Sequence, residues 1–199
     1  MKNAPPTITY TSVVSLETVR LELTIDPLNG LQVKAVDIMN AYVTAPITEN
    51  IWTVLGPDFG SDSGKKAVMI CALYGLKSSG AAFRNNLEDC MRHMGYKSCT
   101  DNPDLWLKPE IRPINGFDYY SYILCYVDKI LFIHHDSMDV LNKMDKYFKL
   151  KLVSTGDPGM YLGAKLWRMT LRNGVVAWGM SPSKYVREAA KKLCKACQG

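Results

Sequence analysis

The sequence predicts an α+β fold, an antiparallel sheet with helices packed on one face, and three observations carry that prediction. Residues 122–133 place two apolar runs rich in β-branched and aromatic residues on either side of a short polar break. That is the pattern of a buried β-hairpin with Asp128-Lys129 at or near its tip. Asn173-Gly174 separates two further extended runs, 161–171 and 175–180, and Asn-Gly between extended runs is a strong hairpin signal. Two stretches of helical period each follow one strand and precede another, an order that suits helices laid on a sheet.

Residues 1–14, rich in Pro, Thr and Ser, read as irregular. Over 15–28 two periods compete. Val19, Leu21, Leu23 and Ile25 alternate as in a strand, whereas Leu16, Val19 and Leu23 fit a helix face. Ser15 is a candidate N-cap, and Pro27 with Gly30 ends the element either way. Residues 31–36 run extended and deliver Asp37 at their end. Residues 40–46 leave that strand, 51–55 and 68–73 predict short strands, and 56–66 reads as a loop. A helix follows, with Phe83, Leu87, Cys90 and Met94 on one face and Gly95 as its stop. Asp101-Asn102-Pro103-Asp104 is turn chemistry, 105–108 is extended, and 109–116 is a loop. After the central hairpin, Ser137 caps a helix carrying Val140, Leu141, Met144 and Phe148. Gly156-Asp157-Pro158-Gly159 then breaks the chain. Ser181-Pro182 reads as an N-cap followed by proline at the first helical position. The last helix sets Lys184, Arg187, Lys191 and Lys195 along one stripe, and Val186, Ala190 and Leu193 along another.

A chain of 199 residues with 47% hydrophobic content has the material for one cored domain, or one with a small appendage. Its net charge of +5 suits a polyanionic partner without specifying one. No apolar run is long enough to span a membrane, and Met1-Lys2-Asn3-Ala4-Pro5-Pro6 lacks the apolar core of a signal peptide. The six cysteines mostly sit in apolar periodic segments and read as reduced thiols of an intracellular chain. Cys194 and Cys197 form a C-x-x-C with no second ligand pair at zinc spacing, so a frayed terminus is the expectation there.

Two carboxylates invite chemistry. Asp37 ends one predicted strand and Asp128 sits at the hairpin tip. Taken singly, each reads as a solvated strand-end or turn acid. If the two strands are neighbours, both carboxylates meet at one edge of the sheet. Paired oxygen ligands suit Mg²⁺, and two such ions can activate an attacking hydroxyl and stabilise a leaving phosphate oxygen.

Around these acids the chain resembles a known family. Asp37-Ile38-Met39-Asn40-Ala41-Tyr42-Val43-Thr44-Ala45-Pro46 resembles the first catalytic motif of reverse transcriptases. Ala72-Leu73-Tyr74-Gly75-Leu76-Lys77-Ser78-Ser79-Gly80-Ala81-Ala82-Phe83 resembles the second, in the form typical of copia-type retrotransposons, which are Pseudoviridae-like LTR elements. Tyr126-Val127-Asp128-Lys129 resembles the third, normally Tyr-x-Asp-Asp. Met160-Tyr161-Leu162-Gly163-Ala164-Lys165-Leu166 resembles the primer-gripping hairpin, and Ser181-Pro182-Ser183-Lys184-Tyr185 the entry to the thumb. The five blocks keep the family's order and similar spacing.

The resemblance implies a right-hand polymerase, with partial fingers and palm over 1–180 and the start of a thumb or connection helix over 181–199. It implies RNA-directed DNA synthesis with two Mg²⁺ ions, or Mn²⁺ in their place, held by Asp37 and Asp128 as catalytic ligands. It places the nucleotide near Ile38, Tyr42, Tyr74 and Gly75. Lys77 is a phosphate contact or a solvated lysine. The primer grip falls on Tyr161, Leu162 and Gly163. The implied partners are an RNA or DNA template with primer, deoxynucleoside triphosphates, and the integrase and ribonuclease H of a longer polyprotein. No membrane is expected, and the family's usual setting is cytoplasmic particles. The basic stripe of the last helix, with Arg84, Lys143, Lys146, Lys149 and Lys151, reads as a phosphate-backbone contact or as plain solvated surface.

Lys129 departs from the pattern, since it stands where the family has a second Asp. An ammonium has no lone pair for a metal, so metal binding is expected to be weakened and the copy impaired. The chain reads as a fragment of a longer polyprotein or a decayed copy, with a remnant that only binds nucleic acid as the alternative.

Overall fold

A computed structural model of the chain describes residues 13–196. The expectations for residues 1–12, for Cys197 and for the side chain of Lys195 fall outside the described residues. In chain order the elements are α1 (Leu16–Asn29), β1 (Gln32–Asp37), β2 (Trp52–Val54), β3 (Lys66–Val68), α2 (Ser79–His93), β4 (Lys97–Ser98), β5 (Leu105–Ile111), β6 (Asp118–Tyr126), β7 (Lys129–His134), α3 (Ser137–Met144), β8 (Met160–Tyr161), β9 (Ala164–Thr170), β10 (Val176–Ser181) and α4 (Ser183–Ala196). A five-stranded antiparallel sheet runs β1-β7-β6-β5-β4; β10-β9-β8 form a second sheet and β2-β3 a third.

The ambiguous segment 15–28 is the helix α1. Ser15 caps it by accepting from the Thr18 N–H, and Gly30 closes it in the left-handed region at φ 57°. Its buried face is Val19, Glu22, Leu23 and Asp26, a helical spacing. Two of those four are acids, so apolar periodicity alone understates the helix.

The helices do not share one face, which corrects the sequence expectation. Ile123, Cys125, Ile130 and Phe132 point to a core built with Phe83, Leu87 and Met91 of α2 and Val140, Leu141 and Met144 of α3. Their neighbours Leu124, Leu131 and Ile133 point the other way, to Val19 and Leu23 of α1 and to Tyr161 and Leu166 of the second sheet. The central strands are therefore covered on both sides. Their unbroken apolar runs follow from that, because a strand with one wet face would alternate. Each fully buried side chain such as Phe132 or Ile123 contributes on the order of 2 kcal/mol.

Several boundaries also move. The central turn is Val127-Asp128, because Tyr126 pairs with Lys129 and makes Lys129 the first residue of β7. β5 continues through Pro109 to Ile111. Pro109 pairs with Tyr120 on one side and lies past the end of β4 on the other, so its missing N–H leaves no ladder bond unmade. Asp136, not Ser137, caps α3 by accepting from the Asp139 N–H. The Ser137 hydroxyl donates to the Gln32 carbonyl instead, at 2.6 Å. The expected strand 68–73 is replaced by β3, and 56–66 contains a 3₁₀ turn over Pro57–Asp62. The run 161–171 is broken at Leu162-Gly163, both at positive φ, so that Tyr161 ends β8 and Ala164 begins β9.

Candidate active site

Strand pairing brings the two predicted acids to one rim. β1 runs antiparallel to β7 with Asp37 opposite Lys129. The Ile38 N–H donates to the Asp128 carbonyl at 2.8 Å, so Asp37 and Lys129 form a non-hydrogen-bonded pair, the kind that holds cross-strand side chains closest. Lys129 Nζ lies 2.6 Å from Asp37 Oδ1, with 39% of the lysine side chain and 19% of the aspartate exposed. Asp128 belongs to the turn just ahead, and its Oδ2 is 4.0 Å from Lys151 Nζ.

The backbone around Asp37 is held by the segment after α3. The Asp37 N–H donates to Ser154 Oγ at 3.1 Å, the Lys151 N–H to the Asp37 carbonyl at 2.9 Å, and the Met39 N–H to the Lys149 carbonyl at 2.8 Å. Asp37, Lys129, Ser154, Asp157, Met160 and Tyr161 share the lining of a cleft of about 230 Å³. Asp157 is paired with Lys34 at 2.8 Å.

The profile of the family described as Reverse transcriptase (RNA-dependent DNA polymerase) matches residues 6–180, most of the chain. The chain belongs to the reverse transcriptase family. The family is one of RNA-directed DNA polymerases, which work on a nucleic-acid template with nucleotide substrates. A search of curated proteins finds no match.

Within this reverse transcriptase domain the other predicted site residues fall into three groups. Tyr42 and Tyr74 are together, with ring centroids 4.7 Å apart, and Tyr42 also meets the edge of Phe83 at 6.0 Å. Gly75, beside them, has φ 96° and open space where a Cβ would stand. That conformation favours glycine. Lys77 is exposed and Ile38 is fully buried. Leu162 and Gly163 form the turn between β8 and β9. Tyr161 points inward with 1% exposure, and its hydroxyl donates to the Leu124 carbonyl at 3.0 Å. It anchors the turn to the main sheet. Arg84 is committed to Glu88 at 2.9 Å and Asp104 at 3.2 Å, so it serves the fold. Lys184, Arg187 and Lys191 are exposed, but so are Val186, Ala190 and Leu193, so the expected apolar stripe of α4 is unburied among the described residues.

Sequence reasoning missed Ser154 and Asp157, and it offered Lys151 only as a general basic residue. Ser154 and Asp157 sit in a stretch with no motif of their own. Tertiary pairing brings that stretch beside β1, through the bridge of Ala35 with Gly156 and the bonds of Asp37 to Ser154 and Lys151. Among the described residues, no group of three or more His, Cys, Asp or Glu is placed to hold a metal ion. No helix among them is long and apolar enough to cross a membrane.

Proposed function

We propose that this chain is the polymerase core of a copia-type retrotransposon polyprotein, built to hold a template–primer and a deoxynucleoside triphosphate, in which Lys129 suppresses nucleotide transfer. In this reading residues 1–180 are partial fingers and palm, and 181–199 begin the thumb. The integrase and ribonuclease H belong to the rest of the polyprotein, and cytoplasmic particles are its setting. Asp37 and Asp128 are the catalytic acids. Tyr42, Tyr74 and Gly75 bound the nucleotide sugar, Lys77 reaches its phosphates, and the Leu162-Gly163 turn meets the primer.

One observation carries the impairment, the 2.6 Å contact between Lys129 Nζ and Asp37 Oδ1. The family implies two Mg²⁺ ions, with Mn²⁺ as a substitute, and the side chains at this rim do not fit them. The Asp37 carboxylate is already engaged by an ammonium that can donate no lone pair. At an effective dielectric of about 20, unit charges about 4 Å apart repel by roughly 4 kcal/mol, and a divalent ion is repelled more. The same contact favours a second reading, a remnant that holds nucleic acid without chemistry. Primer extension by the chain beside its Lys129→Asp variant separates intact from suppressed catalysis. The variant is expected to extend at least ten-fold faster, and equal rates contradict the proposal.

A further inference from the structure

The acids of this rim are balanced by the chain's own lysines. Lys129 meets Asp37, Lys34 meets Asp157 at 2.8 Å, and Lys151 lies 4.0 Å from Asp128. A rim of unbalanced carboxylates repels a polyanion until cations neutralise it. Here the cations are covalent parts of the chain. The strand register also fixes the principal one, because residue 129 stands directly across from Asp37 in a close cross-strand pair. An acid at 129 would face Asp37 as a like charge, which weakens strand pairing. The rim would then need an external cation both to pair its strands and to accept a phosphate.

We infer, resting on the nucleic-acid reading above, that the Lys129 ammonium is a built-in counter-ion that lets the rim receive a phosphate backbone without divalent metal. The chain therefore binds template–primer equally well in a chelator and in Mg²⁺, and a carboxylate at 129 restores dependence on the metal.

The test uses the full chain and a fluorescently labelled RNA template–DNA primer duplex, at constant ionic strength, in EDTA or in Mg²⁺. The chain's Kd is expected to agree within two-fold between the two conditions. Lys129→Asp is expected to bind ten-fold or more weaker in EDTA and to recover in Mg²⁺. Its thermal midpoint is expected to rise with Mg²⁺ while that of the parent chain stays put. If Lys129→Asp does not fold, Lys129→Met removes the ammonium without adding an acid, and its duplex binding should become Mg²⁺-dependent. Binding by the parent chain that is lost in EDTA overturns the inference while leaving the nucleic-acid reading intact. So does a Lys129→Asp variant indifferent to Mg²⁺ in both readouts. Failure of the parent chain to bind duplex in either condition overturns the nucleic-acid reading itself, and the inference with it.

Discussion

Glu22 lies on the buried face of α1 at 2% exposure, and its Oε2 has no hydrogen-bond partner among the described residues. Burial pushes its carboxyl up from an ordinary 4.5 to about 7, because the charged form is the one that loses water. The folded chain therefore holds this proton more tightly than the unfolded chain does. Stability tied to Glu22 is fully present below pH 4.5 and is lost as pH rises through about 7. The loss is on the order of 3 kcal/mol at most. Glu22→Gln should flatten the fall in denaturant midpoint between pH 5 and pH 8, and an unchanged slope contradicts this account. Val127 presents a conformational cost instead. It is a β-branched residue at φ 53° in the turn that presents Asp128, and left-handed backbone costs such a residue about 1–2 kcal/mol. Val127→Asn, which tolerates that region, should stabilise the chain by about 1 kcal/mol. A lowered denaturant midpoint would show that the valine side chain contributes more than its backbone costs.

The elements that pack through local apolar pattern were legible in the sequence. The β6–β7 hairpin, α2 and α3 carry their periods openly, and Asn173-Gly174 lies between β9 and β10 as read. What escaped depends on partners distant in sequence. α1 hid because its buried face includes Asp26, whose carboxylate accepts from Trp178 Nε1 at 2.6 Å and Arg168 Nη2 at 3.2 Å. Those partners lie on β10 and β9, so the bond that makes an acid acceptable inside joins α1 to the second sheet. The same sheet and helix cover the face that was expected to stay bare. β5 ran past Pro109 because proline's cost depends on whether a strand lies on its N–H side, and β4 stops short of it. At the candidate site, the meeting of Asp37 and Asp128 at one rim was legible, since one ends a strand and the other sits in the hairpin turn. The register that sets Lys129 against Asp37, 92 residues away, was not. In sequence, Lys129 reads as the absence of an expected ligand. In the sheet it is also a cross-strand ion pair, which stabilises the edge it neutralises.

At the scale of the whole molecule, the reverse transcriptase domain combines an antiparallel sheet, two apolar cores and the convergence of strand β1 with the β6–β7 turn. At this rim Lys129 engages the Asp37 carboxylate directly, and the same cross-strand pair supports the strand pairing beneath it. Under the proposed function, fold and chemistry pull in opposite directions at position 129, because the ion pair that supports the strand edge also occupies a proposed metal ligand. The most direct measurement is a Mn²⁺ titration followed by paramagnetic broadening of the Asp37 and Asp128 backbone amide resonances. The account predicts sharp signals in the parent chain at Mn²⁺ concentrations that broaden both amides in Lys129→Asp. Equal broadening in the two proteins would contradict it.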